Sequence, residues 1–434
     1  MKSWSSITIG CRANQSDTME VEKMLAGRGW NKVEWGDLCD LVLVNTCTVT
    51  ARSDRQCRKT INRGARNNPG AVVAVTGCFA VMRGRYEGCP ENVHMIPAQD
   101  VSGKVEEIVA LVEKYRLNRE GPNGVDSKVP NDLLSFGASR PPFKVQDGCA
   151  DGCAFCTVCL ARGEPRSMEV DKILKGLREF SESGVKEVVL TGINLGSWGK
   201  DLGIRGGVST LLLSILPELP VERVRLSSLE PQHLDESLIS LMKKWTERIC
   251  PHLHLPLQSA DDHILAAMRR SYNFDRYADF VKSAVREIEG ISIGADVICG
   301  FPGETDLHFS NSYERIASLP LSYLHVFPFS SRPGTPAASM KGKVDAPQVL
   351  SRSRKMRELA AEKTRIFRES QMGKTRTALV EHRRCSQTGC LIGTTDNYLS
   401  ARMVGNDDLM GELVLVRIEK VGETISGHMV KQDF

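Results

Sequence analysis

Apolar and polar residues alternate in the N-terminal part of the chain in a way that predicts short strands separated by helices. Segments rich in apolar and β-branched residues at 6–9, 40–44 and 71–76 have the length of strands, whereas 17–28 and 52–66 show helical spacing. Strands that alternate with helices in this way are typical of a small α/β unit with a parallel sheet.

The alternation resumes, at greater length, after a segment rich in Gly, Pro, Asn, Ser and Asp. The predicted strands are 187–191, 224–228, 252–255, 293–299 and 323–327, and the predicted helices are 171–183, 237–246, 274–289 and 306–319. Repeated βα units of this number predict a full or partial α/β barrel, whose active site is expected at the carboxyl ends of the strands.

A basic helical segment, 351–370, leads into short alternating runs that predict a small all-β barrel. The fold class is therefore α/β with a C-terminal all-β unit. We predict an N-terminal α/β domain at 1–118, a linker at 119–140, a barrel core at 141–370 and a β barrel at 371–434.

Composition is that of an ordinary globular protein, with 41% hydrophobic and 25% charged residues. The 57 basic and 53 acidic side chains leave a net charge of +4, which by itself indicates no nucleic-acid partner. The first residues form no signal peptide, and the apolar runs are too short to span a membrane. We expect a cytoplasmic protein whose 14 cysteines are thiols or cluster ligands rather than disulfides.

Three thiols with the spacing C-x3-C-x2-C, at Cys149, Cys153 and Cys156, follow the first predicted strand of the barrel. They can hold three irons of a [4Fe–4S] cube, and the fourth iron is then free to chelate S-adenosylmethionine. A structural zinc site that uses Cys159 as a fourth ligand is an alternative. A ferredoxin-type cluster is another, although its usual Cys-Pro continuation is absent. The aromatic Phe155 before the third thiol favours the radical chemistry of the open-iron cluster.

Polar residues at the ends of the predicted barrel strands are candidates for binding the cofactor's amino, ribose and adenine groups. Glu230 is the best-placed charge for the ribose or amino group. With Phe155, the candidate cofactor-binding residues are Thr191, Asn194, Ser228, Glu230 and Gln258. We interpret His252 and His254, which alternate on a strand, as hydrogen-bonded core histidines rather than metal ligands.

A second set of three thiols, Cys11, Cys47 and Cys78, follows the three predicted N-terminal strands. The carboxyl ends of parallel strands lie at one edge of a sheet, so these thiols are expected to converge. They would form a second cluster that also lacks one ligand, which suggests insertion of sulfur or a methylthio group; a zinc site or inert thiols are the alternatives. The basic run 52–66 is either a solvated helix face or a surface that contacts phosphates.

Taken in order, these motifs resemble the methylthiotransferases, a family of radical S-adenosylmethionine enzymes with three domains. The resemblance covers nearly the whole chain, and it is carried by residues 10–15, 45–55, 76–78, 146–156, 161–163, 254–259, 268–270, 296–305, 327–330 and 333–336. It implies two [4Fe–4S] clusters, an incomplete barrel in the central part of the chain and a C-terminal TRAM domain that binds tRNA.

The residues around the first two cysteines, Cys11 and Cys47, resemble those of the branch of the family that acts on threonylcarbamoyladenosine. That branch implies 2-methylthiolation of N6-threonylcarbamoyladenosine at tRNA position 37, at the expense of two S-adenosylmethionine molecules. An electron donor of the flavodoxin or ferredoxin kind and a sulfur source are implied as partners. The alternatives are isopentenyladenosine in tRNA or a ribosomal-protein aspartate as substrate, and a tRNA-binding Fe–S protein without turnover.

The chain departs from the family pattern just after the third thiol of the barrel loop. The family places a Pro-Tyr pair before Ala161-Arg162-Gly163, and Cys159 and Leu160 replace that pair here. We expect that Cys159 does not coordinate the open iron, because a fourth thiolate would abolish chelation of the cofactor.

Overall fold

The N-terminal unit is a five-stranded parallel sheet covered by helices on both faces. The computed structural model describes residues 2–97, 101–117 and 139–430. The strands are β1 (Ser3–Thr8), β2 (Asn31–Lys32), β3 (Leu41–Thr46), β4 (Val72–Gly77) and β5 (Val93–Met95), in the order β2-β1-β3-β4-β5. The helices are α1 (Arg12–Gly27), α2 (Ala51–Asn67), α3 (Cys78–Arg83) and α4 (Val101–Leu117).

Both faces of this sheet are buried, which explains the continuous apolar runs of its strands. Leu41 and Leu43 of β3 pack on the side of α1 and α4, whereas Val42 and Val44 pack on the side of α2 and α3. Alternate residues of one strand thus contribute to two separate cores.

The predicted start of the first helix was wrong. Helix α1 begins at Arg12 rather than residue 17, directly after Cys11. Its first turns carry buried polar residues, among them Asn14 and Asp17, that bond to the barrel. Such a face has no apolar periodicity, and the sequence pattern therefore missed it.

The central unit is an incomplete parallel α/β barrel. Its strands are β6 (Pro142–Asp147), β7 (Arg166–Ser167), β8 (Glu187–Gly192), β9 (Arg223–Leu226), β10 (His252–His254), β11 (Ser292–Cys299) and β12 (Tyr323–Pro328). Two sheets, β7-β6-β8-β9 and β10-β11-β12, are joined by single parallel bridges such as Ser228–His254. Within the described residues β6 and β12 do not pair, and α1 lies beside β6, where Ser16 Oγ accepts from the Lys144 amide at 3.0 Å.

Helices surround the barrel strands and continue into the last unit. They are α5 (Val158–Arg162), α6 (Val170–Glu182), α7 (Gly207–Ile215), α8 (Glu236–Lys244), α9 (Asp262–Ala267), α10 (Phe274–Glu287), α11 (Asp306–Ser318), α12 (Pro336–Ser339) and α13 (Ala346–Glu369). None of the helices among the described residues combines the length and apolarity needed to cross a bilayer.

The C-terminal unit is a closed five-stranded barrel, as predicted. Its strands are β13 (Thr375–Arg384), β14 (Leu391–Thr395), β15 (Ser400–Met403), β16 (Leu413–Val421) and β17 (Ile425–Met429), in the order β13-β14-β15-β17-β16. The proposed linker 119–140 lies outside the described residues except for its last two positions.

The small barrel packs against the amino ends of the central strands. Arg225 donates to the carbonyls of Thr395 and Asp396 at 3.0 and 2.8 Å. The ring of His252, at the start of β10, stacks on Tyr398 with 4.3 Å between centroids. The end of the barrel opposite the cysteine loop is therefore covered.

Glu187 organises this junction. Its carboxylate accepts from Arg223 Nε at 2.7 Å and from Arg225 Nε at 2.8 Å, and all three side chains are buried. Burial alone would raise the pKa of Glu187, but the two guanidiniums hold it well below its usual range. The Glu187 carboxylate is therefore charged in the folded protein.

We expect Glu187→Gln to lower the free energy of unfolding by about 3–5 kcal/mol, because it leaves buried guanidinium charge without a counter-ion. Urea unfolding measures the loss. Glu287→Gln, which breaks the solvent-exposed contact with Lys243, is the matched control and should leave the free energy of unfolding nearly unchanged. Equal effects of the two changes would contradict the role given to the buried cluster.

Candidate active site

The thiols of Cys11, Cys47 and Cys78 lie at one edge of the N-terminal sheet. Cys11 is the N-cap of α1, Cys47 follows β3, and Cys78 is the first residue of α3. The strands that precede them, β1, β3 and β4, are adjacent and parallel, so their carboxyl ends meet. Gly10 permits the approach, since a Cβ at that position would lie 2.9 Å from Cβ of Cys47.

These three thiols influence one another electrostatically. Burial raises the pKa of Cys47 to about 11, and the neighbouring Cys78 and Cys11 contribute to the increase. Burial also raises the pKa of Cys78, while the Arg162 guanidinium opposes that rise. Three thiols that lie close together are a donor set suited to a cationic metal centre, which stabilises the thiolates.

Cys57 is a further thiol, buried beside this set, and sequence reasoning assigned it no role. Its Sγ donates to the carbonyl of Cys47 at 3.2 Å. Burial raises the pKa of Cys57 to about 12. Cys57 therefore supports the backbone of the Cys47 loop as a neutral donor. The helical register of α2, which turns residues 57 and 61 inward, was the available signal.

The loop of Cys149, Cys153 and Cys156 starts at the carboxyl end of β6. Gly148 allows its first turn: φ is +72°, and a Cβ there would lie 2.0 Å from the Glu164 carbonyl oxygen. The amide of Cys156 donates to the Cys153 carbonyl at 3.1 Å, which curls the loop. Burial raises the pKa of Cys149 to about 11, as it does for Cys47 in the first thiol set.

Two of the predicted cofactor-binding residues are tied to this loop. Asn194 Nδ2 lies 3.8 Å from Cys149 Sγ and donates to Asp151 at 2.9 Å. Glu230 pairs with Arg270, whose Nη1 lies 3.1 Å from Cys153 Sγ. Burial raises the pKa of Glu230, and the Arg270 guanidinium opposes the rise.

The remaining predicted residues are distributed differently. Phe155 and Gln258 line a cavity that reaches Cys156. Thr191 is buried in β8 opposite Lys144. Within the described residues, its side chain makes no hydrogen bond to the cysteine loop. Ser228 bonds instead to His254 Nδ1 at 2.8 Å.

Arg270 and Asp151 were missed as individual site residues. Asp151 accepts from Gln232 at 2.6 Å as well as from Asn194, which ties the cysteine loop to two barrel strand ends. The signal for Asp151 was its position between the first two thiols. The signal for Arg270 was its position in the family motif 268–270.

A cavity of about 260 Å³ connects the two units near their thiols. Phe155, Cys156 and Gln258 border it from the barrel, and Val49 and Thr50, shortly after Cys47, border it from the N-terminal unit. A molecule bound in this cavity would contact residues of both cysteine loops.

Arg162 holds the two units together beside this cavity. Its guanidinium donates to Asp147, before the barrel loop, at 3.1 Å and lies 3.0 Å from Asp17 of α1. It also donates to the Asn14 side chain. Arg162 and the three partners named here are buried, so the contact fixes the position of one cysteine loop relative to the other.

Cys159 lies in α5 and is half-buried. It is close enough to Cys156 to contribute to the raised pKa of that thiol, after burial and the neighbouring Cys153 and Cys149. Leu160, the other residue of the departure from the family pattern, is half-exposed and faces Gly334.

We expect Arg162→Met to expose the N-terminal unit to proteolysis, because Asp17 and Asp147 then lose a buried counter-ion and keep Lys144, which is only partly buried. The loss of unfolding free energy should be about 3–5 kcal/mol. Limited proteolysis followed by mass spectrometry locates the cleavage. Arg166→Met, a half-exposed arginine 3.9 Å from the same Asp147, should remain resistant. Equal resistance of both variants would argue against Arg162 as the tie.

Comparison with known proteins gives two family matches. Residues 4–94 match a family described as Uncharacterized protein family UPF0004, and residues 143–316 match the radical SAM superfamily. Among solved structures, the radical S-adenosylmethionine methyltransferase TsrM of Kitasatospora setae has a similar fold. It shares 16% identity, with a TM-score of 0.53 over 78% of this chain and 77% of that one.

Several relatives match over nearly their entire length. The threonylcarbamoyladenosine tRNA methylthiotransferase MtaB of Aquifex aeolicus is 35% identical over 95% of this chain and 98% of its own. MtaB of Bacillus subtilis is 31% identical, over 96% and 93%. The tRNA-2-methylthio-N(6)-dimethylallyladenosine synthase of Clostridium tetani is 30% identical, over 95% and 93%. The chain therefore belongs to the radical S-adenosylmethionine methylthiotransferase family.

Proposed function

We propose that the chain transfers a methylthio group to C2 of N6-threonylcarbamoyladenosine at position 37 of tRNA. The observation that carries the proposal is the shared cavity, which borders the loops of both thiol sets and is held in place by Arg162. Transfer of sulfur to an unactivated carbon requires that the acceptor atom reach both sites, and this arrangement provides a common place for it.

The two thiol sets fit [4Fe–4S] clusters. Each supplies three cysteines from one short region of space, which leaves one iron of a cube without a protein ligand. We assign Cys149, Cys153 and Cys156 to the cluster that binds and reduces S-adenosylmethionine, and Cys11, Cys47 and Cys78 to the auxiliary cluster. When bound, these cofactors supply the electron, the radical, the sulfur and the methyl group.

The protein's own side chains then position the cofactor and exclude water. Arg270 and Glu230 form a charged pair beside Cys153 that can bind the carboxylate and amino groups of methionine. We assign Phe155 and Gln258, which border the cavity, to the adenine and its polar edge, and Asn194 to orienting the loop through Asp151. Thr191 and Ser228 remain candidates for the ribose.

Binding of tRNA is assigned first to α2. Arg52, Arg55, Lys59, Arg63 and Arg66 are exposed along this helix, whose N-cap Thr50 borders the cavity. In the C-terminal barrel, Arg383 and Arg384 contact Glu381 and Asp407, so they offer less free charge. Contacts to phosphates make affinity fall with salt. A flavodoxin- or ferredoxin-like electron donor, a sulfur source and a cytoplasmic location complete the proposal.

Dimethylallyladenosine in tRNA is the second candidate substrate. A synthase of that class is 30% identical to this chain, close to the 31–35% of the threonylcarbamoyladenosine enzymes. The apolar cavity residues Ile298, Phe327 and Phe329 would also suit a dimethylallyl group. The stronger match to the threonylcarbamoyladenosine enzymes favours the first candidate.

Anaerobically reconstituted protein should contain about eight irons per chain, the content of two cubanes. Cys78→Ala and Cys153→Ala should each lower the iron content to about half. Only Cys153→Ala should abolish formation of 5′-deoxyadenosine from S-adenosylmethionine. Cys57→Ala and Cys159→Ala should keep both properties. Stoichiometric zinc without iron would contradict the enzyme assignment.

Deletion of the gene should remove 2-methylthio-N6-threonylcarbamoyladenosine from the organism's tRNA, because no methylthio group then reaches C2. Mass spectrometry of tRNA nucleosides measures it, and the precursor N6-threonylcarbamoyladenosine should accumulate. Wild type should restore the modification and Cys153→Ala should not. Loss of the isopentenyl analogue instead would transfer the assignment to the second candidate.

A further inference from the structure

Two histidines and one aspartate meet inside the barrel, beside the cavity. His254 ends β10, Asp296 lies in β11 and His325 lies in β12. Asp296 is directly opposite His325 in the pairing of the two strands, and His254 pairs with Gly294, two residues earlier on β11. All three side chains therefore project from one face of adjacent parallel strands.

Their geometry is unusual for an ordinary histidine–carboxylate pair. His254 Nε2 lies 3.1 Å from Asp296 Oδ1, yet this buried nitrogen has no hydrogen-bond partner. The carboxylate oxygen therefore lies off the direction that an N–H bond would take. The donor atoms of His254, Asp296 and His325 all lie within 4.8 Å of one another.

We propose that His254, Asp296 and His325 hold a divalent transition-metal ion, with Zn²⁺ as the first candidate. Two ligand atoms bound to one Zn²⁺ at about 2.0–2.2 Å lie roughly 3–3.5 Å apart, as His254 Nε2 and Asp296 Oδ1 do. The separation between the atoms and the missing hydrogen bond are both explained by an ion that lies between them.

Neighbouring groups support such a site. Ser228 Oγ lies 2.8 Å from His254 Nδ1, so it can accept the Nδ1 proton and leave Nε2 free to bind the ion. His252, by contrast, bonds to Tyr323 at 2.8 Å and behaves as a core histidine.

Three protein ligands leave at least one coordination position open, and Asp296 lines the cavity. The residues lining the cavity include no lysine or arginine within the described parts of the chain, and Asp296 is their one carboxylate. The carboxylate of a threonylcarbamoyl group would be repelled there, whereas a metal ion would bind it. This role rests on the proposed function; the metal site itself does not.

Cobalt(II) added to the reconstituted holoenzyme tests the site, because the clusters then occupy the six assigned cysteines. After dialysis, wild type should retain about one equivalent more cobalt than His254→Ala or His325→Gln, as expected for a single site with three protein ligands. His263→Ala alters a separate histidine pair, His263 and His308, whose rings stack with 4.9 Å between centroids, and should retain the wild-type amount.

Iron content and circular dichroism of the same samples report cluster assembly and folding. His325 is exposed, so its replacement keeps the test valid if His254→Ala does not fold. Equal cobalt content in wild type and His325→Gln would overturn the metal site, whichever nucleoside the enzyme modifies.

Anticodon stem-loop RNA tests the substrate contact. With N6-threonylcarbamoyladenosine in the loop, affinity for the holoenzyme should rise about tenfold when Zn²⁺ is added, the scale of one good charged contact. The isopentenyl RNA should show no change, nor should either RNA with His325→Gln. Equal gains for both RNAs would overturn the carboxylate contact. A methylthiolated isopentenyl product would refute the proposed function while the cobalt result stands.

Discussion

The buried charge network around Arg162 is the contact on which the arrangement of the site depends. Arg162 and Lys144 provide two positive charges, and Asp17 and Asp147 provide two negative charges. Burial alone would raise the pKa of Asp147, but Arg162 and Lys144 lower it to about 2. A carboxylate with a depressed pKa stabilises the fold above its unfolded pKa of about 4 and loses that contribution as the pH falls towards 2.

This network joins elements that are distant in sequence and close to the chemistry. Asp17 lies in the helix that Cys11 caps, and Asp147 ends the strand that precedes Cys149. A second buried tie joins the same two units, from Arg332 to Thr48 Oγ1 at 3.0 Å and to Asp54. Two separate ties restrict rotation of the units about either one. The spacing between the thiol sets is therefore a property of the folded chain.

Much of the fold could be predicted because it depends on patterns among residues that are close together in the sequence. Residues 41–44 are apolar without alternation, which indicates a strand buried on both faces, and β3 is such a strand. The position of Cys47 at its end follows from chain order alone. The closed C-terminal barrel was likewise predicted from short alternating segments.

The unpredicted parts depend on pairs far apart in the chain. Arg162 meets Asn14 across 148 positions, and Arg225 meets Thr395 across 170. A single arginine gives no periodic signal that names its partner, so the sequence shows the charge but not the contact. The predicted start of α1 was also wrong, because the inward face of its first turns is polar and gives no apolar periodicity.

The placement of the C-terminal barrel restricts how a large substrate can approach. The amino ends of β9 and β10 are covered by contacts of Arg223 with the Thr377 carbonyl and of His252 with Tyr398. The carboxyl ends carry the thiols, the cavity and the exposed basic face of α2. On the proposed function, a nucleotide would enter the cavity from the side of α2, where the exposed basic residues can attract its phosphates. This charge and the cavity would then lie on the same side of the molecule.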